Sequence, residues 1–126
     1  MSLKSYRDLI YWQKSMDLVT MVYKLTSKLP KDEVYSLCNQ MRRAAISIPS
    51  NIAEGYDRGS QKNYINFLHI ASGSNSELQT QLEICVRIGY FSKEEVKPIY
   101  ELSVEVAKML YVALSTLQKK QDTKDT

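Results

Sequence analysis

Apolar residues recur every three or four positions along four separate stretches of this chain, with little between them that breaks a helix. That spacing puts each apolar set on one face of an α-helix, and no stretch shows the strict alternation of a half-buried strand. Four glycines and three prolines in 126 residues are too few for the many tight turns of a β-sandwich or barrel. The first stretch carries Leu9, Trp12, Met16, Val19 and Tyr23, with Leu18, Val22, Leu25 and Leu29 beside them and Lys14, Asp17, Lys24 and Lys28 opposite. It predicts a helix over about 6–29, capped by Ser5 or Asp8 and stopped by Pro30. The second, about 32–57, places Val34, Leu37, Met41, Ala44, Ile48 and Ile52 on one face and Arg43, Ser47, Ser50, Glu54 and Arg58 on the other. Pro49 cannot donate to the Ala45 carbonyl, so a kink is expected within one continuous helix, with Ser47 or Ser50 helping to satisfy that carbonyl.

The third helix, about 61–88, follows a turn at Asp57-Arg58-Gly59-Ser60, with Ser60 as N-cap and Gly89 as the C-terminal stop. Its inner face is Tyr64, Phe67, Leu68, Ala71, Leu78, Leu82 and Cys85. Ser92-Lys93-Glu94-Glu95 reads as a capping box for a fourth helix over about 93–119. Val96, Ile99, Ser103, Ala107, Leu110, Leu114 and Leu117 form its stripe, and Pro98 should distort its start. The polar residues 120–126 are expected to fray. Four long helices with short links predict an all-α, antiparallel up-down-up-down bundle. The length allows a single domain over 1–126.

A bundle needs one apolar stripe per helix, and this chain has more. The arcs of helices one and four span roughly half the circumference. Helix three has a second set, Ile70, Gly73, Ile84 and Ile88, away from Tyr64 and Leu78. Either the domain is small and tightly packed, or these faces meet other copies of the chain, and the second reading is favoured. Nine tyrosines and one tryptophan suit an interface and suit bundle edges as well. The small-residue run Ala71 to Ser76 costs helix propensity, which implies close approach by a neighbouring helix at Gly73. Asn75 falls on the inner face, where it should be a satisfied buried amide.

Little in the sequence suggests catalysis. His69 is the sole histidine, and no HExxH or ExxH pair exists for a di-iron bundle. Cys38, Cys85 and His69 lack zinc spacing, Gly55 and Gly59 match no phosphate-binding loop, and no cofactor is implied. The two cysteines read as reduced thiols in a cytoplasm, in keeping with the absence of an apolar signal core or a membrane span. Candidate structural groups are Gln40, Ser47, Asn51, Glu54, Asn75 and Glu77. Arg43 and Glu54 are assigned to a polar network along helix two; Glu77 lies in the second stripe of helix three and needs a cation, with Arg42, Arg43 and Arg58 in range by pattern. Net charge is only +3, so the basic side chains are solvated faces in one subunit. Arg42, Arg43, Arg58, Lys62 and Arg87 are the candidates for a nucleic-acid or subunit interface, with Arg42 off the polar stripe and facing outward.

The segments Tyr6-Arg-Asp-Leu-Ile-Tyr-Trp-Gln-Lys14, Gln40-Met-Arg-Arg-Ala-Ala-Ile-Ser-Ile-Pro-Ser-Asn-Ile-Ala-Glu-Gly-Tyr56 and Ala71-Ser-Gly-Ser-Asn-Ser-Glu-Leu-Gln-Thr-Gln-Leu82, with Gly89-Tyr90, are distinctive. Together they resemble the bacterial four-helix bundle proteins encoded in intervening sequences of large-subunit (23S) ribosomal RNA genes, over about residues 6–118. The resemblance implies a left-handed bundle that assembles as a ring-shaped homopentamer. It also implies relatives that serve as accessory proteins of diversity-generating retroelements, which are strongly basic and bind nucleic acid and a reverse transcriptase. The charge of +3 fits that branch poorly. No catalytic residues are known for the family, so none carries over. Its central motif falls on Gln40, Arg42, Arg43, Ser47, Pro49, Ser50, Asn51, Glu54 and Gly55. Gly55 is expected to permit close packing at the helix end. Five copies would carry about +15, enough to focus positive potential on a ring. The expected function is a non-enzymatic oligomeric scaffold that binds RNA or DNA through a basic surface. The alternative is a protein-protein adaptor that docks a separate enzyme through an apolar or tyrosine-rich rim.

Overall fold

The computed structural model describes residues 4–125; residues 1–3, part of the polar start, and residue 126 lie outside it. Four α-helices account for most of the described chain: α1 (Ile10–Thr26), α2 (Asn39–Asp57), α3 (Gln61–Ile88) and α4 (Lys93–Asp125). No strand occurs among the described residues. Each helix packs on its neighbour in sequence, and α1 also packs on α4, which closes a four-membered ring. The seams run antiparallel. Along α2, Ser47 meets Ser74 and Gly55 faces Phe67, so the partner number falls as α2 advances. Between α3 and α4, Gln61 bonds to Leu117 and Asn75 to Ser103.

The inward stripes close on one core. Leu18 and Val22 of α1, Met41, Ile48 and Ile52 of α2, Leu68, Leu78 and Leu82 of α3, and Val106 and Leu110 of α4 have no exposed surface. Each such side chain contributes about 1.5–3 kcal/mol by leaving water. In α1 the core set is Leu18, Val22 and Leu25; Met16 and Tyr23 of the other set stay exposed.

Local chemistry fixes the ends. Ser60 accepts from the Asn63 amide at 3.3 Å to start α3, and Gly89 ends it at φ 94°, a left-handed conformation that costs glycine nothing. The Ser92 hydroxyl accepts from the Glu95 amide at 3.1 Å while the Glu95 carboxylate accepts from the Ser92 amide at 3.0 Å. This reciprocal pair is the expected capping box.

Four expectations need correction. Helix one does not start at residue 6: Tyr6–Asp8 is a separate 3-10 turn capped by Ser5, and extended Leu9 breaks it from α1. Residues 32–38 are not α-helical. Lys31–Glu33 is a 3-10 turn and Val34–Cys38 a π-helical turn, because the Glu33 side chain draws in Ser36 and the Leu37 amide. Val34 is consequently exposed rather than inward. Residues 120–125 continue α4 instead of leaving it. α2 does run unbroken through Pro49, as α4 does through Pro98.

Candidate functional site

The central motif residues of α2 divide between several places. A polar groove of about 300 Å³ lies on the α2–α3 seam, lined by Gln40, Arg43, Ala44, Ser47, Ser74 and Glu77. At its base the Asn51 amide donates to the Ser47 carbonyl at 2.7 Å and to Ser47 Oγ at 2.8 Å, and Ser74 Oγ shares a 2.8 Å bond with Ser47 Oγ. The Ser47 hydroxyl therefore ties α2 to α3. Arg43 and Glu77 face this groove, and Glu77 makes no ion pair among the described residues.

Deeper in, Asn75 is the buried amide the sequence implies. It donates to the Ser103 carbonyl at 2.8 Å and accepts from Ser103 Oγ at 2.6 Å, while Gln79 donates to Ser103 Oγ at 2.9 Å. The amide is thus satisfied on both sides, which removes the cost of its burial. Among the described residues, Gln81 Oε1 is the buried side-chain acceptor that finds no donor.

Two assigned roles do not hold. Glu54 does not join Arg43: its carboxylate takes the Arg58 guanidinium at 3.0 Å, one turn away on the exposed side of α2. Arg42 is not turned outward. Its Nε donates to Thr26 Oγ1 at 2.9 Å and its Nη2 to the Tyr23 carbonyl at 3.3 Å, with the guanidinium 4.3 Å above the Tyr23 ring. The C-terminal end of α1 carries the negative end of its dipole and so attracts this cation, and the Tyr23 carbonyl accepts from Arg42 as well as from the Ser27 amide. Arg42 is a clamp between α1 and α2.

The remaining cations do not gather. Arg58 is spent on Glu54 and on the Phe67 ring at 5.2 Å. Lys62 and Arg87 are exposed near opposite ends of α3, ~38 Å apart along its axis. Arg87 instead shares a groove at the α3–α4 turn with Glu83, Lys93, Glu94, Lys97 and Glu101, where charges of both signs alternate. One subunit presents no single basic patch.

The outer faces are apolar. Ile70, Ile84 and Ile88 of α3 are 50%, 39% and 56% exposed, and a Cβ at Gly73, between them, would meet nothing within 4 Å beyond its own turn of helix. The close approach expected at Gly73 is therefore absent within the chain. Tyr111 and Val112 of α4 and Tyr35 of the π turn are exposed as well. Gly55 does meet its expectation: a Cβ there would lie 2.5 Å from the Phe67 Cβ.

Two clusters were not read from the sequence. Tyr90 donates to Glu33 at 2.5 Å and Ser36 to the other carboxylate oxygen at 2.5 Å, which ties the α1–α2 link to the α3–α4 turn. The donors on Glu33, Ser36 first, hold its carboxyl below the usual range, and the carboxylate pushes the Tyr90 phenol up to about 12. At the other end Tyr11 and Tyr64 bond hydroxyl to hydroxyl, with Tyr56 edge-on to Tyr64 at 5.8 Å. Burial raises both phenols. Tyrosine count alone carried no signal for either cluster, because the partners lie more than fifty residues apart.

Burial also lifts the Cys85 thiol to about 11, which leaves it unreactive beside Met41. Cys38 and Cys85 are both buried, and no metal-holding group of three His, Cys, Asp or Glu side chains occurs among the described residues. No described helix is long and apolar enough to cross a membrane.

The model of one protein family, described as 23S rRNA-intervening sequence protein, matches residues 7–112. Among solved structures, the chain is similar to a protein of unknown function from the S23 ribosomal protein family of Bacteroides thetaiotaomicron. That similarity is 26% identity with a TM-score of 0.78, over 83% of this chain and 98% of the other. No curated protein matches the chain.

Proposed function

The chain belongs to the 23S rRNA-intervening sequence protein family, and on that premise we propose that it works as a non-enzymatic oligomeric scaffold. One observation carries the reading: the outer face of α3 leaves Ile70 exposed at mid-helix and Ile84 and Ile88 exposed in its last turns, with Gly73 open beside Ile70. Exposed isoleucines at two levels of one helix face favour cover by a neighbouring copy. A ring-like pentamer is the assembly the family resemblance supports. In such a ring Arg43, Lys62 and Arg87, which make no ion pair within the described chain, repeat around the circumference. That repetition would supply the basic surface for RNA or other nucleic acid that one subunit lacks. The test is light-scattering mass at two salt concentrations, with and without structured RNA. A multiple of the chain mass with a salt-sensitive RNA shift supports the scaffold, and loss of the shift in Arg43→Gln with assembly intact places the RNA contact. An oligomer indifferent to RNA removes the nucleic-acid half of the proposal.

The adaptor reading has its own support. Tyr35, in the link between α1 and α2, is 94% exposed, the kind of aromatic side chain that docks a protein partner. Salt-insensitive capture of one protein, lost in Tyr35→Ser, would favour it over the RNA reading.

A further inference from the structure

An open trench of about 590 Å³ lies at the bundle end where α1 and α3 begin and α4 draws to its close. Leu9, Met109, Ala113 and Leu117 give it apolar walls, and the Tyr11–Tyr64 pair lies against it.

Two features make it more than an apolar gap. The first is an unspent donor. Two neutral phenols carry two hydrogens, and the bond between Tyr11 and Tyr64 uses one of them. The other has no acceptor among the described residues. The second is charge. Lys108 lines the trench, makes no ion pair among the described residues, and is the sole charged side chain on its wall. Unlike the groove at the α3–α4 turn, this one has no carboxylate to welcome a cation.

We propose that this trench binds a carboxylate-headed hydrocarbon, with the head on Lys108 and the free phenol hydrogen and the chain along Leu9, Met109, Ala113 and Leu117. An N⁺–H···O⁻ contact and an O–H···O⁻ contact on one head are the stronger kinds of hydrogen bond, and the walls remove the tail from water. The site is independent of the scaffold reading, since none of its residues lies on the outer face of α3 or among the candidate cations.

Calorimetric titration of the full chain with decanoate, below its micellar concentration, tests the assignment. Acetate and decyltrimethylammonium serve as probes lacking the tail and the negative head. Saturable uptake of one decanoate per chain is expected, with acetate not bound and the cation at least about tenfold weaker. Tyr11→Phe/Tyr64→Phe, which keeps both rings and removes both hydroxyls, should weaken decanoate several-fold, whereas Tyr64→Phe alone leaves the Tyr11 hydrogen free and should weaken it less. Lys108→Glu lies on an exposed turn of α4 and should reverse the preference, so that decanoate is lost and the cationic amphiphile gained. Absence of saturable uptake overturns the proposal, as does uptake that Lys108→Glu leaves unchanged. If Val112→Glu breaks an assembly of a chain that takes up no decanoate, the trench belongs to a second copy instead.

Discussion

The two long faces of α3 both carry large apolar side chains and have opposite fates. Inward, Ala71, Asn75, Leu78, Leu82 and Cys85 are buried, and the amide among them is satisfied by Ser103. Outward, Ile70, Gly73, Glu77, Ile84 and Ile88 are exposed, and the acid among them has no ion pair among the described residues. Apolar period alone tells which faces favour cover. It does not tell which are covered by the same chain. The difference is that α2 and α4 close over the first face, whereas within the subunit the second is reached by α2 only at its Glu77 edge.

Substitutions on the two faces should separate stability from assembly. The largest expected effect is inward: Leu78→Ala leaves a cavity in a fully buried site and should cost about 2–5 kcal/mol in chemical denaturation. Gly55→Ala follows at about 1–3 kcal/mol, because the new methyl meets the Phe67 Cβ, which is anchored to the α3 backbone and cannot swing aside. Outward, the sign should turn. Gly73→Ala has open space and a helical backbone, so it should raise protomer stability by about 0.5–1 kcal/mol, yet lower the assembled mass if a neighbour packs closely there. Ile84→Asp should cost about 1–2 kcal/mol of protomer stability, from the covered part of the side chain and the lower helix propensity of Asp, and should reduce the mass. A large stability loss in Ile84→Asp without a change of mass would break the comparison.

The smallest effect concerns pH. Glu33 is held below its ordinary value, so its contribution is present above about pH 5 and is lost as pH falls through the lowered value. Tyr90 is held up at about 12, so its share is complete below 10 and is lost as pH climbs toward about 12. Glu33→Gln should therefore flatten both flanks of a melting-temperature profile; a profile with unchanged flanks would remove the Glu33–Tyr90 tie from the account.

The bundle was legible in the sequence because its signals are local. Ser60, Gly89 and the Ser92–Glu95 box each act within four residues of where they stand. The link at 31–38 was not legible, since its π turn depends on Glu33, whose other carboxylate oxygen is held by Tyr90 from the far side of the chain. The site followed the same division. Asn75 lies on a predictable face and makes the contacts of a satisfied buried amide, whereas Ser47, offered by the sequence for the Ala45 carbonyl, bonds to Asn51 and to Ser74 across the seam. Arg42 also had its face assigned by angle, but its flexible stem turns back to the carbonyls at the end of α1, a destination that helical angle does not encode. The cations could be counted but not gathered, because Lys62 and Arg87 share one helix and lie near its two ends.

If the outer face of α3 is the proposed assembly surface, light-scattering mass should find the wild type at several 14.5 kDa chains and a folded Ile70→Asp/Ile84→Asp variant at or near one. A wild type of a single chain, or a doubly substituted protein that keeps the full assembled mass, would contradict it.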